Sequence, residues 1–150
     1  MRIIKIMNIT NKNTNYINIT ISMNEIDTKL VPLLGSKANP MIIYLKMRSK
    51  IVKSSLKDCE GYSIKKDCHD KGYLVMTMSI RQMAKEFNVN KRSILKAIHL
   101  LNEYNWIDIK KLKIKKSFRA QYVYVFGTWN RLDGGRVVEN FFNDPFIEFE

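Results

Sequence analysis

Residues 79 to 104 constrain the fold more than any other stretch, because two helical patterns there are separated by only three residues. Ser79 stands three residues before Gln82, a capping-box arrangement that satisfies free backbone N–H groups at a helix start. Ile80, Met83, Ala84 and Phe87 then recur at helical spacing, and the pattern stops at Asn88-Val89-Asn90. Asn tolerates the left-handed backbone of a tight turn, and a second Asn can cap the helix that follows. That second helix, Lys91 to about Tyr104, is predicted to bury Ile94, Leu95, Ile98 and Leu101, with Ala97 small enough for close helix approach. Lys91, Arg92, Ser93 and Lys96 then fall mainly on the other side, crowded into the half of the helix that a recognition helix inserts into the major groove.

By itself this helix pair also fits an ordinary αα-hairpin with a solvated basic face. The flanks distinguish the two readings. Asn105 ends the helix, Trp106 to Lys116 reads as a strand, Ser117 to Ala120 as a turn and Gln121 to Thr128 as a return strand, which together make a β-hairpin wing. The wing carries Lys110, Lys111, Lys113, Lys115, Lys116 and Arg119, and its base is apolar, with Tyr122, Tyr124 and Phe126 alternating with Val123 and Val125. Residues 79 to 119 hold eleven Lys and Arg against Glu86, Glu103 and Asp108, so +8 of the chain's +12 coincides with the motif. That coincidence points to double-stranded DNA as the partner. Asn90, Lys91, Arg92, Ser93 and Lys96 are the expected recognition-helix contacts, Arg92 suited to a bidentate bond to guanine. The wing cations are the expected phosphate contacts.

The run from Ser79 to Leu101, closing on Trp106-Ile107-Asp108-Ile109, resembles the winged-helix domains of bacterial regulators and of plasmid and phage replication-initiation proteins. With the Met41–Ser49 helix and a charged loop ahead of it, the chain is more similar to the replication-initiator and replisome-organiser branch. The resemblance implies sequence-specific binding by a homodimer to repeated or palindromic sites, with Arg92, Ser93 and Lys96 at base-reading positions. The sequence departs from full initiators in having no large further domain after the wing.

Elsewhere the patterns are shorter. Alternation in Ile4, Ile6, Ile17, Ile19, Ile21 and Met23 predicts two strands around an Asn/Thr-rich turn, Asn8 to Asn15. Such a hairpin is marginal alone, so it covers the core or pairs with another copy. Val31 to Lys37 reads as a linker. Asn39 can then cap a helix with Pro40 first, running to about Leu56 through Met41, Tyr44, Leu45, Arg48, Ile51 and Val52. Lys57 to Gly72 reads as a charged surface loop and Tyr73 to Met78 as a short strand. After Trp129 the charge reverses, since Arg131 to Glu150 holds two basic and five acidic residues together with Phe141, Phe142, Phe146 and Phe149. This acidic aromatic tail can dock on the core, meet a protein partner, or compete with DNA for the wing.

Several classes are set aside. Cys59 and Cys68 lie in the polar loop with eight residues between them, with only His69 and His99 in reserve, so two free thiols are expected rather than zinc. No apolar run approaches a membrane span and no signal peptide is read, which points to the cytoplasm. No catalytic triad, carboxylate pair or phosphate-binding loop can be read, and Gly134-Gly135 lacks the strand–loop–helix context of one. Tyr122 and Tyr124 are read as packing residues rather than strand-transfer nucleophiles. The expectation is an α+β chain without enzymatic activity or cofactor. It comprises an N-terminal β-hairpin (residues 1–30), a winged helix-turn-helix (38–130) and a C-terminal tail (131–150). Replication initiation or its control is the leading role, with transcriptional regulation or an accessory part in DNA transfer or segregation as alternatives. A winged helix used only for protein interaction is the reading from a different class.

Overall fold

The structure is a computed structural model that describes residues 3–7, 16–20, 22–54, 56, 59, 72–112, 121–131, 137–141 and 147–149. In chain order its elements are β1 (Ile3–Met7), β2 (Tyr16–Thr20), α1 (Met23–Glu25), a π-helical stretch (Ile26–Leu30), α2 (Val31–Leu34), α3 (Pro40–Arg48), β3 (Val52–Ser54) and β4 (Gly72–Met76). There follow α4 (Ile80–Phe87), α5 (Lys91–Glu103), β5 (Asp108–Lys111), β6 (Tyr122–Arg131), β7 (Val137–Phe141) and β8 (Ile147–Phe149). The fold is α+β. Two units interleave along the sequence: Met1–Lys50, Ile80–Leu101 and Asp144–Glu150 form the first, Ile51–Ser79 and Asn102–Asn143 the second.

In the first unit β1 is the middle strand of an antiparallel sheet ordered β2-β1-β8. The register sets Ile4 opposite Ile19 and Ile6 opposite Ile17, as the alternation predicts. Alternation alone would carry the second strand on to Met23. Instead Ser22 starts a helix, its Oγ accepting the Glu25 N–H at 3.2 Å, so a Ser-x-x-Glu signal overrides the strand pattern. Helical backbone then runs through the π-helical stretch into α2, and the expected linker is helical from Val31 to Leu34. Gly35 closes it with a left-handed φ of 85°, its N–H donating to the Val31 carbonyl at 2.9 Å.

Asn39 and Pro40 open α3 as the sequence predicts, the Asn39 Oδ1 accepting the Met41 N–H at 2.9 Å. The helix ends at Arg48, not near Leu56. Ser49 N–H donates to the Leu45 carbonyl and its hydroxyl to the Lys46 carbonyl at 2.6 Å. The β-branched Ile51 and Val52 then favour extended chain, and Val52 sits in β3 with 56% of its surface exposed rather than on a helical stripe. Ile42 to Arg48 are all buried, two cations included. Lys46 reaches Asp27 of the π-helical stretch (Nζ–Oδ1 2.7 Å), and the Arg48 guanidinium lies 5.7 Å from the centroid of the Tyr44 ring.

In the second unit β6 is the spine. β4 pairs along one edge of it, from Met76↔Tyr124 to Gly72↔Trp129, and β3 pairs with β4. β5, opposite Tyr122 to Val125, and β7, opposite Gly127 to Arg131, share the other edge. Flanked on both edges, β6 is buried on both faces from Val123 to Phe126, as a central strand should be. Phe126 is the extra residue of a bulge between the pairs Val75↔Val125 and Leu74↔Gly127, and Gly127 supplies the positive φ of 148° there.

Leu56, Cys59, Val75, Val123 and Val125 form a buried cluster with Tyr73 and Leu112 packed on it. Cys59, expected in an exposed loop, is fully buried and bridges to Leu112, behaving as a small hydrophobe. Cys68 and His69 lie outside the described residues, as do Phe142 and Phe146. The segment expected to be a tail contributes one strand to each sheet, β7 on β6 and β8 on β1. Among the described residues no helix is long and apolar enough to cross a membrane.

Burial first, and then the neighbouring Tyr122, push the Tyr124 hydroxyl up to about 12. An unfolded tyrosine ionises near ~10, so the folded state holds this proton more tightly. The associated stability is complete below about pH 10 and is lost as pH rises towards 12, a fall of roughly 2 to 3 kcal/mol. Urea titrations across that range should show the fall in the wild type and a shallower one in Tyr124→Phe.

Candidate nucleic-acid interface

The turn between α4 and α5 assigns its two asparagines different jobs. Asn88 adopts a φ of 55°, and the Val89 N–H donates back to the Ala84 carbonyl at 3.1 Å, the six-to-one bond of a Schellman ending. Two residues on, Asn90 Oδ1 accepts the Ser93 N–H at 2.8 Å while the Asn90 carbonyl accepts from Ile94, so it is the N-cap of α5. A cap of this kind contributes about 1 kcal/mol and fixes where the helix points its first turn. At the far end Asn105, with a φ of 61°, takes the chain out of helix.

Burial on the two helices is narrow. Met83 and Phe87 are buried on α4, and Ile94, Ala97, Ile98 and Leu101 on α5. Leu95 departs from the sequence reading: it falls a third of a turn past Ile94, off the stripe, and is 43% exposed. Lys91, Arg92 and Lys96 are exposed together with it, while Ser93 is half-buried at the margin of that face. Arg81 and Lys85, one turn apart on α4, are two further exposed cations. They were countable in the local charge excess but carried no separate signal, because solvated lysines occupy most amphipathic helices.

No ion pair with a described residue occupies Arg81, Lys85, Lys91, Arg92 or Lys96. Glu86, the one acidic residue of α4, is instead paired with Lys50 at 3.6 Å. The charges on α5 run against its own dipole. Its first turn contains Lys91 and Arg92 and no acid, and its last turn contains Glu103 and no base. Each misplaced charge costs a helix about 0.3 to 1 kcal/mol, whereas the same arrangement adds to the pull of an N-terminus on an anion.

Comparison with known proteins finds no family model, no curated protein and no solved structure that the chain matches. The chemistry of the site therefore rests on its residues alone.

The expected wing belongs to the second unit. Of the predicted outgoing strand, Trp106 to Lys116, β5 begins at Asp108 and pairs antiparallel with β6 from Asp108↔Val125 to Lys111↔Tyr122. The pairing continues where Leu112 N–H donates to the Gln121 carbonyl at 2.8 Å. Lys110 is half-buried with its Nζ 3.6 Å from Asp108, and Lys111 is exposed. Lys113, Lys115, Lys116 and Arg119 lie outside the described residues. Among the described His, Cys, Asp and Glu side chains no group of three or more could hold a metal ion.

Proposed function

We propose that the chain binds double-stranded DNA through a winged helix-turn-helix in which α4, the Asn88–Asn90 turn and α5 form the reader and β5–β6 the wing. The observation that carries this reading is the reversed charge of α5: exposed Lys91, Arg92 and Lys96, without an ion pair among the described residues, crowd the end where helix stability favours acids. Placing cations there lowers local stability, and local rules are broken where function demands it. In the proposed docking, α5 enters the major groove, Arg92 and Lys96 meet base edges, and Arg81, Lys85 and Lys91 meet phosphate. Asn90 acts mainly by capping, since its Oδ1 is already used.

The resemblance of residues 79 to 109 to replication-initiation winged helices supports a role in starting or controlling replication of a plasmid, phage or mobile element. Binding DNA, without chemistry of its own, is the activity proposed. Its test is the salt dependence of binding to a short labelled duplex. Each phosphate neutralised contributes about −0.9 to the slope of log K against log salt, so contacts from most of the five helix cations predict a slope of about −3 or steeper. A flat dependence would favour a protein-interaction module with solvated lysines.

A further inference from the structure

The exposed face of α5 contains a residue that neither charge nor capping explains. Leu95 stands one turn after Lys91 and Arg92, beside Lys96 and one turn before His99, and every one of these five side chains is exposed. A single exposed leucine on a protein surface is ordinary. This one lies within the arc from Lys91 to Lys96 on the helix face proposed to enter the major groove, so in that complex it faces base edges. Three of the four bases present only donors and acceptors there, and the thymine C5-methyl is the one apolar group. Leucine against a donor or acceptor strips its water and returns no hydrogen bond, whereas leucine against the methyl buries apolar surface on both sides.

We propose that Leu95 is a specificity-determining residue that selects thymine by its methyl group, an inference that rests on the DNA-binding reading above. It would act next to the base read by Arg92. Three residues of helix advance about 4.5 Å, against a base-pair rise of about 3.4 Å, so the selected thymine lies within about one or two steps of the Arg92 contact. Arg92 and Leu95 then read neighbouring pairs by opposite chemistry, one by hydrogen bonds and one by an apolar contact. The choice at the Leu95 position is both attractive and exclusive, because a G·C pair there leaves polar groups dry and unpaired.

The test starts from duplexes with a randomised centre, enriched by rounds of binding to the full chain. In the enriched duplex each thymine is replaced in turn by deoxyuridine, which removes the methyl and keeps every hydrogen-bonding group. The expected result is that one or two such replacements weaken the wild type about fourfold each, the value of one buried methyl, and leave Leu95→Ala unaffected. Leu95 is exposed, so the alanine variant should keep its helix content by circular dichroism and its salt slope. Deoxyuridine tolerated at every position, or equally harmful to Leu95→Ala, overturns the proposal while leaving DNA binding in place. Failure of any sequence to enrich, with binding insensitive to salt, overturns both together.

Discussion

Asp27→Ala should destabilise the protein by about 3 kcal/mol, enough to raise the unfolded fraction by about a hundredfold. The reason lies in the partner left behind. Lys46 is 1% exposed inside α3, its Nζ 2.7 Å from the Asp27 carboxylate, and no other described acid is paired with it. Removing the carboxylate leaves a buried cation without its counter-charge. Asp27 itself is 40% exposed, which places the effect at the lower end of the range for a broken buried pair. Lys46→Met in the same background should restore most of the loss, because a flexible apolar chain of similar length fills the space without a charge. Chemical denaturation of the single and double variants measures both steps. An Asp27→Ala cost below 1 kcal/mol would mean that the pair contributes no more than a surface ion pair.

That ion pair also shows where sequence patterns lose their reach. Local signals were legible: Asn39-Pro40 fixed the start of α3, and Asn88, Asn90 and Asn105 marked the ends of α4 and α5. Each works through hydrogen bonds within a few residues, so the sequence contains the whole cause. Ser22–Glu25 was equally local, yet the isoleucine alternation before it masked the helix start. The end of α3 depended on β3 finding β4 about twenty residues away, and β8 depended on β1 at the opposite end of the sequence. Non-local pairing of this kind leaves no periodicity of its own in the strand that joins last.

The site divides the same way. The exposed cations of α5 could be read from spacing because charge and apolar residues alternate over a full helix. Leu95 could not, since leucine is counted as core wherever it falls near an apolar stripe. Its true position is decided by a narrow buried face of Ile94, Ala97, Ile98 and Leu101. Arg81 and Lys85 were visible only as contributions to local charge, and their exposure on α4 is what makes them candidates for phosphate.

The Arg92→Ala/Lys96→Ala variant carries the largest functional effect. Both side chains are exposed and Ala is a stronger helix former, so the variant should fold with undiminished stability. Loss of a bidentate contact to a base costs about 1 to 3 kcal/mol, and loss of the neighbouring lysine removes a further charge from the interface. Binding of wild type and double variant to the enriched duplex, compared at one salt concentration with a scrambled duplex alongside, is the most direct measurement. The expected result is at least about tenfold weaker binding to the enriched duplex and a preference over the scrambled one reduced towards unity. Equal affinity of the two proteins for the enriched duplex, with sequence preference intact, would contradict α5 as the reader of DNA.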